Sequence, residues 1–304
     1  KKESIVQAER MALSYDYEGA IALIKSIEGY DQDAELIAKI AKLEAEKSTL
    51  IPVNMNEVTH IFYHSLVVDP ERGFAGNDSA AAGFKQWMTT VYEFNQITQT
   101  MYDNGYVIVD VHDLVTQTVD EDGTVHFKTN QIYLPEGKKP VVVSYDDLSY
   151  YHSYDGRGTA TKMVLDENGE PTCEYIEKDG TVVTGDYDYI PLLDKFIEEH
   201  PDASYKGAKG TIALTGYNGI LGYRTDIAYK TGENLTADQQ AWLDAHPDFD
   251  WDKECAEAKK VADAILANGW TFASHTWGHL RVGGAGLESI KKDTEKWMTY
   301  VAPL

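Results

Sequence analysis

Two short apolar runs in this sequence end in side chains that bind metals, and this feature constrains the fold most. The run Val141-Val-Val-Ser-Tyr145 is followed directly by the acid pair Asp146-Asp147. The run Trp270-Thr-Phe-Ala273 is followed by two imidazoles, at His275 and His279. Continuous apolar runs of this kind are typical of parallel strands that are covered on both faces. Because parallel α/β folds place reactive groups at the C-terminal ends of their strands, we expect the two ends to meet at one site.

Strand and helix signals alternate along the chain from Ile51 onward. The strands are predicted at 59–64, 107–111, 141–145, 210–215 and 270–273, and the helices at 80–104, 190–200, 252–268 and 286–301. Two of these helices are followed by Asn-Gly, at 104–105 and 268–269, which suits a left-handed helix cap. This alternation favours an α/β fold with a largely parallel, barrel-like sheet.

Two segments lie outside the alternation. Residues 3–48 have the apolar spacing of three short amphipathic helices, and we interpret 1–50 as a helical spacer that precedes a catalytic domain at 51–304. Turn signals at 166–169 and 178–180 predict an inserted β-hairpin region at about 150–187.

The acidic composition limits the class of partner and the location. The formal net charge is −23, which argues against nucleic acid because phosphate binding requires clustered lysine and arginine. The sequence contains no apolar run of about 18 residues, so no membrane span is expected.

The chain opens with Lys1-Lys2 instead of Met, and we expect that a signal peptide or anchor was removed from an extracellular or cell-surface protein. The spacing leaves open whether Cys173 and Cys255 pair, and two isolated thiols are the preferred interpretation.

The histidine pair and the acid pair have complementary chemistry. Histidines at i and i+4 reach one ion from a helix face or from a tight loop. Thr276 stands where the H-E-x-x-H motif of zinc proteases has Glu, so a further ligand has to come from elsewhere in the chain. Adjacent residues of a strand point to opposite faces. Beyond the strand end this constraint is lifted, so one acid of Asp146-Asp147 can bind the ion while its neighbour faces the substrate water.

Three motifs together resemble the polysaccharide deacetylase family, also described as the NodB-homology family of carbohydrate esterases. Ser144-Tyr-Asp146-Asp147 is similar to the family's Thr/Ser-Phe-Asp-Asp-Gly motif. Ser274-His275-Thr-Trp-Gly-His279 is similar to its His-Ser/Thr-x-x-His motif, and Ile61-Phe-Tyr-His64 resembles the strand that often opens such domains. The resemblance covers about residues 55–304.

The resemblance implies a distorted (β/α) barrel with a metal held by Asp147, His275 and His279. Asp146 matches the catalytic base, and zinc is the first choice among divalent metals. The implied reaction is the removal of acetyl groups, N-acetyl rather than O-acetyl, from an extracellular or cell-wall polysaccharide such as peptidoglycan. Three protein ligands leave positions open for water and substrate, as in catalytic zinc sites.

Two departures from the family pattern leave an alternative open. Leu148 replaces the usual glycine after the acid pair, and the family's later motifs have no counterpart between His279 and Leu304. We therefore expect a barrel that is incomplete because the chain is truncated at its C-terminus. The alternative is a non-catalytic glycan-binding or cell-wall protein that keeps the metal for its structure.

Several further residues are candidates for the cleft. His64 is expected either to line the cleft near the metal or to pack as an ordinary strand histidine. Tyr150 is expected to stack on sugar rings or to pack in the core, as are Tyr151, Tyr217 and Tyr223. Arg224 is a candidate to replace the arginine that the family carries in a later motif. Trp277 is expected to pack beside the metal loop at the edge of the cleft.

Overall fold

A computed structural model describes residues 1–304, and the chain forms two compact units, each built from separate segments. The first unit contains Lys1–Ile61, Thr98–Val143 and Asp194–Gly210, and the second contains Phe62–Ile97, Ser144–Leu193 and Thr211–Leu304. Residues 1–50 thus belong to the first unit together with later segments. The predicted domain boundary at residue 50 stays a prediction.

The elements follow one another in a mixed α/β order. The helices are α1 (Lys2–Leu13), α2 (Tyr17–Lys25), α3 (Ala34–Lys47), α4 (Pro70–Gly73), α5 (Ser79–Trp87), α6 (Val91–Asp103), α7 (Val111–Leu114), α8 (Tyr189–Glu199), α9 (Ile227–Thr231), α10 (Ala237–Ala245), α11 (Trp251–Ala267) and α12 (Leu287–Tyr300). The strands are β1 (Ile51–Pro52), β2 (Thr59–Tyr63), β3 (Tyr106–Ile108), β4 (Val115–Val119), β5 (Val125–Thr129), β6 (Tyr133–Leu134), β7 (Lys139–Asp146), β8 (Ala160–Leu165), β9 (Pro171–Ile176), β10 (Val182–Gly185), β11 (Thr211–Leu214) and β12 (Thr271–Ser274). No helix combines the length and the apolar character that crossing a membrane requires.

The first unit contains the three N-terminal helices that the sequence predicts. Asp16 caps α2 by accepting a hydrogen bond from the Gly19 amide, and Asp33 caps α3 in the same way through Leu36. The helices bury one shared cluster, made of Ala8, Ala20, Ile24, Leu36, Ile40 and Leu43. In the same unit β1 pairs with β6 and β4 pairs with β5, both antiparallel, and β3 pairs in parallel with the start of β7.

The second unit contains the end of β7 and two strands that run parallel to it. In this unit the strand order is β12, β11, β7, and the registered pairs of these strands are parallel. The predicted parallel α/β arrangement is therefore confirmed, whereas the barrel form is not confirmed by this order. Strands β8, β9 and β10 form a separate antiparallel sheet at the predicted insertion.

The prediction of one helix over 80–104 is wrong, because α5 and α6 are separate helices. Met88 has an extended backbone, and the link after it pairs with Val67. Thr90 and Glu93 then form a reciprocal cap, in which Glu93 accepts from the Thr90 amide and Thr90 Oγ1 accepts from the Glu93 amide. A Thr-x-x-Glu capping box starts a new helix at this point.

Candidate metal centre

The strand ends that carry the candidate ligands lie at one edge of the second unit's sheet. Strand β11 lies between β7 and β12, with Ala213 opposite Asp146 and Leu214 opposite Ser274. The Asp147 amide donates to the Ala213 carbonyl at 3.1 Å, and the His275 amide donates to the Leu214 carbonyl at 2.9 Å. Because both bonds end on adjacent residues of β11, this strand fixes the position of Asp147 relative to His275.

Asp147, His275 and His279 come together at this edge. Asp147 Oδ1 lies 3.6 Å from His275 Nε2 and 3.8 Å from His279 Nε2. Two ligands about 2.0–2.2 Å from a tetrahedral ion lie roughly 3.3–3.6 Å apart, so these separations suit ligands that surround an ion. The Asp147 Oδ1 atom is buried and has no hydrogen-bond partner in the protein. A buried carboxylate oxygen without a partner is costly unless a cation compensates it. The donor set therefore fits a divalent metal such as zinc.

The backbone is strained where it presents the ligands. Asp147 has a φ of 67° and His279 a φ of 52°, and Thr276 between the two histidines has a φ of 62°. This left-handed region is uncommon outside glycine, and it is an outlier for a β-branched residue such as threonine. Such strain persists only where surrounding contacts enforce it. Leu148, which follows the acid pair, is fully buried, and its carbonyl accepts from the Leu221 amide at 2.7 Å.

Asp293 of α12 holds the loop between the two histidines. Its carboxylate accepts from the Trp277 amide at 2.6 Å and from the Gly278 amide at 2.9 Å. On the other side of the loop, the Trp277 carbonyl accepts from the amides of Gly216 and Tyr217. A β-carbon at Gly216 would lie 2.2 Å from the Trp277 ring, so only glycine fits against this indole. Sequence reasoning missed Asp293, because a lone acid on an amphipathic helix gives no local signal.

The candidate metal ligands face a cavity of about 460 Å³. Its lining combines polar groups with aromatic rings: Phe62, His64, Ser65, Gly83, Phe84, Trp87, Met88, Asp146, Asp147, Tyr150, Tyr151, Tyr154, Thr159, His275 and His279. The structure thus brings Asp146, His64 and Tyr150 to the same cavity as the ligands. His64 Nε2 lies 4.0 Å from Asp147 Oδ2. The roles of Asp146, His64 and Tyr150 stay predictions.

Arg224 and Trp277 are not among the residues that line the cavity. The Arg224 guanidinium is buried and donates to the backbone carbonyl of Tyr150 at 2.6 Å. Burial lowers the pKa of this guanidinium. Arg224 therefore supports the chain that follows the acid pair and does not reach into the cavity as the sequence suggested. The Trp277 ring faces Gly216, with Lys296 Nζ 3.7 Å from its centroid.

A buried carboxylate, Asp188, ties together both ends of the acid-pair segment. Its Oδ2 accepts from the hydroxyls of Tyr145 at 2.5 Å and Tyr150 at 2.6 Å. Its Oδ1 accepts from the amides of Leu66 at 3.0 Å and Tyr189 at 2.7 Å. Burial raises the pKa of Asp188, and these four donors act in the opposite direction by stabilising the carboxylate.

The tyrosines proposed for sugar stacking have different positions. Tyr150 and Tyr151 line the cavity, whereas Tyr217 and Tyr223 are not part of the lining. The Tyr151 hydroxyl donates to the Tyr217 hydroxyl, and burial raises the pKa of both groups. The Tyr223 ring is buried and packs against Lys162, whose Nζ lies 4.3 Å from its centroid.

No protein-family model and no curated protein sequence matches the chain. Among solved structures, the chain is similar to the Streptococcus pyogenes deacetylase PplD in complex with acetate. The two share 14% sequence identity over 83% of this chain and 71% of that chain, with a TM-score of 0.33. A TM-score this low carries no argument about activity, so we infer function from the geometry of the site.

Proposed function

We propose that the protein is a metal-dependent hydrolase that removes acetyl groups from a polysaccharide. One observation carries the proposal: the buried Asp147 Oδ1 and the Nε2 atoms of His275 and His279 converge at a cavity that also contains Asp146. Three ligands with a neighbouring carboxylate and an open cavity make up the pattern of a catalytic metal site, since a structural zinc site is closed by four protein ligands.

Asp147, His275 and His279 would hold the ion. A bound divalent metal supplies Lewis acidity, which polarises an acetyl carbonyl and lowers the pKa of water. Asp146 lies one residue from a ligand and lines the cavity, so it is placed to take a proton from the water that attacks the acetyl carbon. His64 lies on the Oδ2 side of Asp147, where it is placed to give a proton to the departing amine or alcohol.

The substrate class and the location are part of the same proposal. The motif resemblance supports N-acetyl over O-acetyl groups and a polymer of the cell wall or the extracellular space, such as peptidoglycan. The aromatic lining of the cavity supports a sugar ligand, since aromatic faces suit the apolar faces of sugar rings. On this basis the protein acts outside the cell or at its surface.

Acetate release and metal content test this function. We expect the zinc-loaded protein to release acetate from tetra-N-acetylchitotetraose and from intact peptidoglycan. Asp147→Ala should lose the bound metal and the activity, and Asp146→Asn should keep the metal and lose the activity. Asp179→Ala, at an exposed turn between β9 and β10, is the matched control and should change neither. Unchanged metal content and unchanged turnover in Asp147→Ala would contradict the proposal.

A second function is favoured by the position of Arg224. Its guanidinium donates to backbone carbonyls, and the residues lining the cavity include no arginine. A glycan-binding protein that keeps its metal for structure would need no such group. Glycan binding that survives chelation, with no acetate released by the metal-loaded protein, would favour this second function over the hydrolase.

A further inference from the structure

We propose that Phe62 and Trp87, here named the aromatic rim, bind a neutral pyranose ring adjacent to the acetylated sugar. The proposal rests on the proposed function, because it assigns the substrate of that site to the class of uncharged N-acetylhexosamine oligomers. The rim would make the protein select a chain of sugars over an isolated acetylated unit.

The two rim residues are large aromatic side chains that are exposed beside a polar site. Phe62 is 52% exposed and Trp87 is 57% exposed, and both line the cavity that contains Asp147. Other aromatic residues of the second unit, such as Trp270 and Tyr189, are buried almost completely. Exposed apolar surface that borders a site in this way is typical of ligand binding.

His64 connects the rim to the metal centre. Phe62 and His64 are two residues apart around the end of β2, and their rings meet edge to face with centroids 5.9 Å apart. The His64 and Trp87 ring centroids are 6.3 Å apart. Because His64 Nε2 also lies 4.0 Å from Asp147 Oδ2, one imidazole separates the rim from a metal ligand. A sugar on the rim therefore adjoins the sugar whose acetyl group reaches the metal centre.

Charge favours a neutral sugar over an anionic one. The cavity lining contains the carboxylates Asp146 and Asp147 and no lysine or arginine. The chain as a whole carries a net charge of −23. Apart from the proposed metal ion, whose charge the carboxylates offset, a uronate or a phosphate at the rim would find no basic side chain in the lining, whereas the apolar C–H face of a neutral pyranose only needs an aromatic surface.

Gly83 leaves space beside the rim. It lies one helical turn before Trp87 on α5, and it lines the cavity. A β-carbon added at Gly83 would meet no atom within 4 Å. The β-carbon of a substituted residue therefore enters open space, and we expect the side chain in Gly83→Leu to occupy the space beside the rim.

Binding measured by isothermal titration calorimetry tests the rim separately from catalysis. The probe is tetra-N-acetylchitotetraose, added to the full zinc-loaded chain that carries Asp146→Asn, which keeps the metal and does not hydrolyse the probe during the titration. We expect Trp87→Ala, Phe62→Ala and Gly83→Leu each to weaken binding about tenfold, which corresponds to about 1.4 kcal/mol. Trp87→Phe, which keeps a ring, should retain most of the affinity. Tyr92→Ala is the matched control, because Tyr92 is 73% exposed and lies outside the cavity lining.

Three results would overturn the rim. They are unchanged affinity in the Trp87→Ala and Phe62→Ala variants, an equal loss in Tyr92→Ala, and no binding of the oligosaccharide by the Asp146→Asn protein with an intact rim. Tighter binding of an anionic oligomer, with glucuronate alternating with N-acetylglucosamine, would overturn its neutral-sugar assignment. Acetate release by the wild-type protein is measured separately. Oligosaccharide binding that depends on the rim, without acetate release, would support the rim proposal and contradict the proposed hydrolase activity.

Discussion

The Tyr150 hydroxyl donates a hydrogen bond of 2.6 Å to the buried carboxylate of Asp188. Tyr150 follows the acid pair, and Tyr145, which precedes it, donates to the same carboxylate oxygen. The segment that carries the candidate base and a candidate metal ligand is therefore held at both ends by Asp188. None of the four hydrogen bonds of Asp188 involves a candidate metal ligand. This arrangement makes the stability of the site depend on Asp188.

Replacement of Asp188 should destabilise the protein strongly. In Asp188→Ala two hydroxyls and two backbone amides lose the Asp188 carboxylate as their acceptor, and each buried group that stays unsatisfied costs about 1–3 kcal/mol. We expect the free energy of unfolding, measured by urea denaturation, to fall by about 3 kcal/mol or more. Asp186→Ala, two residues away and exposed, should stay within about 0.5 kcal/mol of the wild type. Equal stability of the two variants would show that the network around Asp188 is unimportant.

Asp293 should increase the zinc affinity of the site although it is not one of the candidate metal ligands. Its two hydrogen bonds fix the turn between His275 and His279. Loss of groups that orient metal ligands typically lowers affinity by about 10–100-fold, and we expect this range for zinc binding by Asp293→Ala. Competition with a chromogenic chelator measures the affinity. Glu295→Ala, an exposed acid on the same helix, controls for the loss of charge. If the two variants bind zinc equally, the turn does not depend on Asp293.

The three residues that the structure brings together as candidate metal ligands could be selected from the sequence, whereas the groups that hold them in place could not. A continuous apolar run followed by Asp146-Asp147, and another followed by His275, are local patterns, and the chemistry of the side chains identifies their use. Asp188 and Asp293 are ordinary acids in the sequence, and their roles arise only from contacts between distant segments. Arg224 shows the reverse case: the sequence suggested it as a replacement for an arginine of a later family motif, but its guanidinium donates to backbone carbonyls.

The division of the predicted helix over 80–104 had a signal that the apolar pattern concealed. The sequence Thr90-Val-Tyr-Glu93 is itself a capping box, and Thr89-Thr90 is β-branched. Periodicity continues across the break because α5 and α6 both bury an apolar face, through Phe84 and Phe94. Local capping signals therefore deserve more weight than continued periodicity when a helix is bounded from sequence.

Zinc should stabilise the folded protein through the triad. A ligand that binds only the folded state at about 100 times its dissociation constant adds about 2.7 kcal/mol of stability. We expect the unfolding midpoint in calorimetry to rise when zinc is added to metal-free protein and to fall again after chelation. Asp147→Ala should show no such rise, because the variant lacks the carboxylate that lies next to both the His275 and the His279 imidazole in the proposed zinc site. The same zinc-dependent rise in wild type and Asp147→Ala would place the bound metal elsewhere.

The two cysteines should behave as slowly reacting free thiols in the folded protein. Both are unpaired in the structure, and burial raises the pKa of Cys255 to about 11 and that of Cys173 well above its usual range. The thiolate is the reactive form, so near pH 8 only about one Cys255 in a thousand is reactive. Because the pKa is raised, the rate of alkylation at Cys255 should increase about tenfold for each unit of pH until the pH approaches that pKa.

A colorimetric disulfide reagent should report two thiols in denaturant and a slow reaction in the native state, with Cys255→Ser identifying the faster site. A rapid native reaction near pH 8 would show that Cys255 is not shielded, and one or no thiol in denaturant without reductant would show that the pair is oxidised.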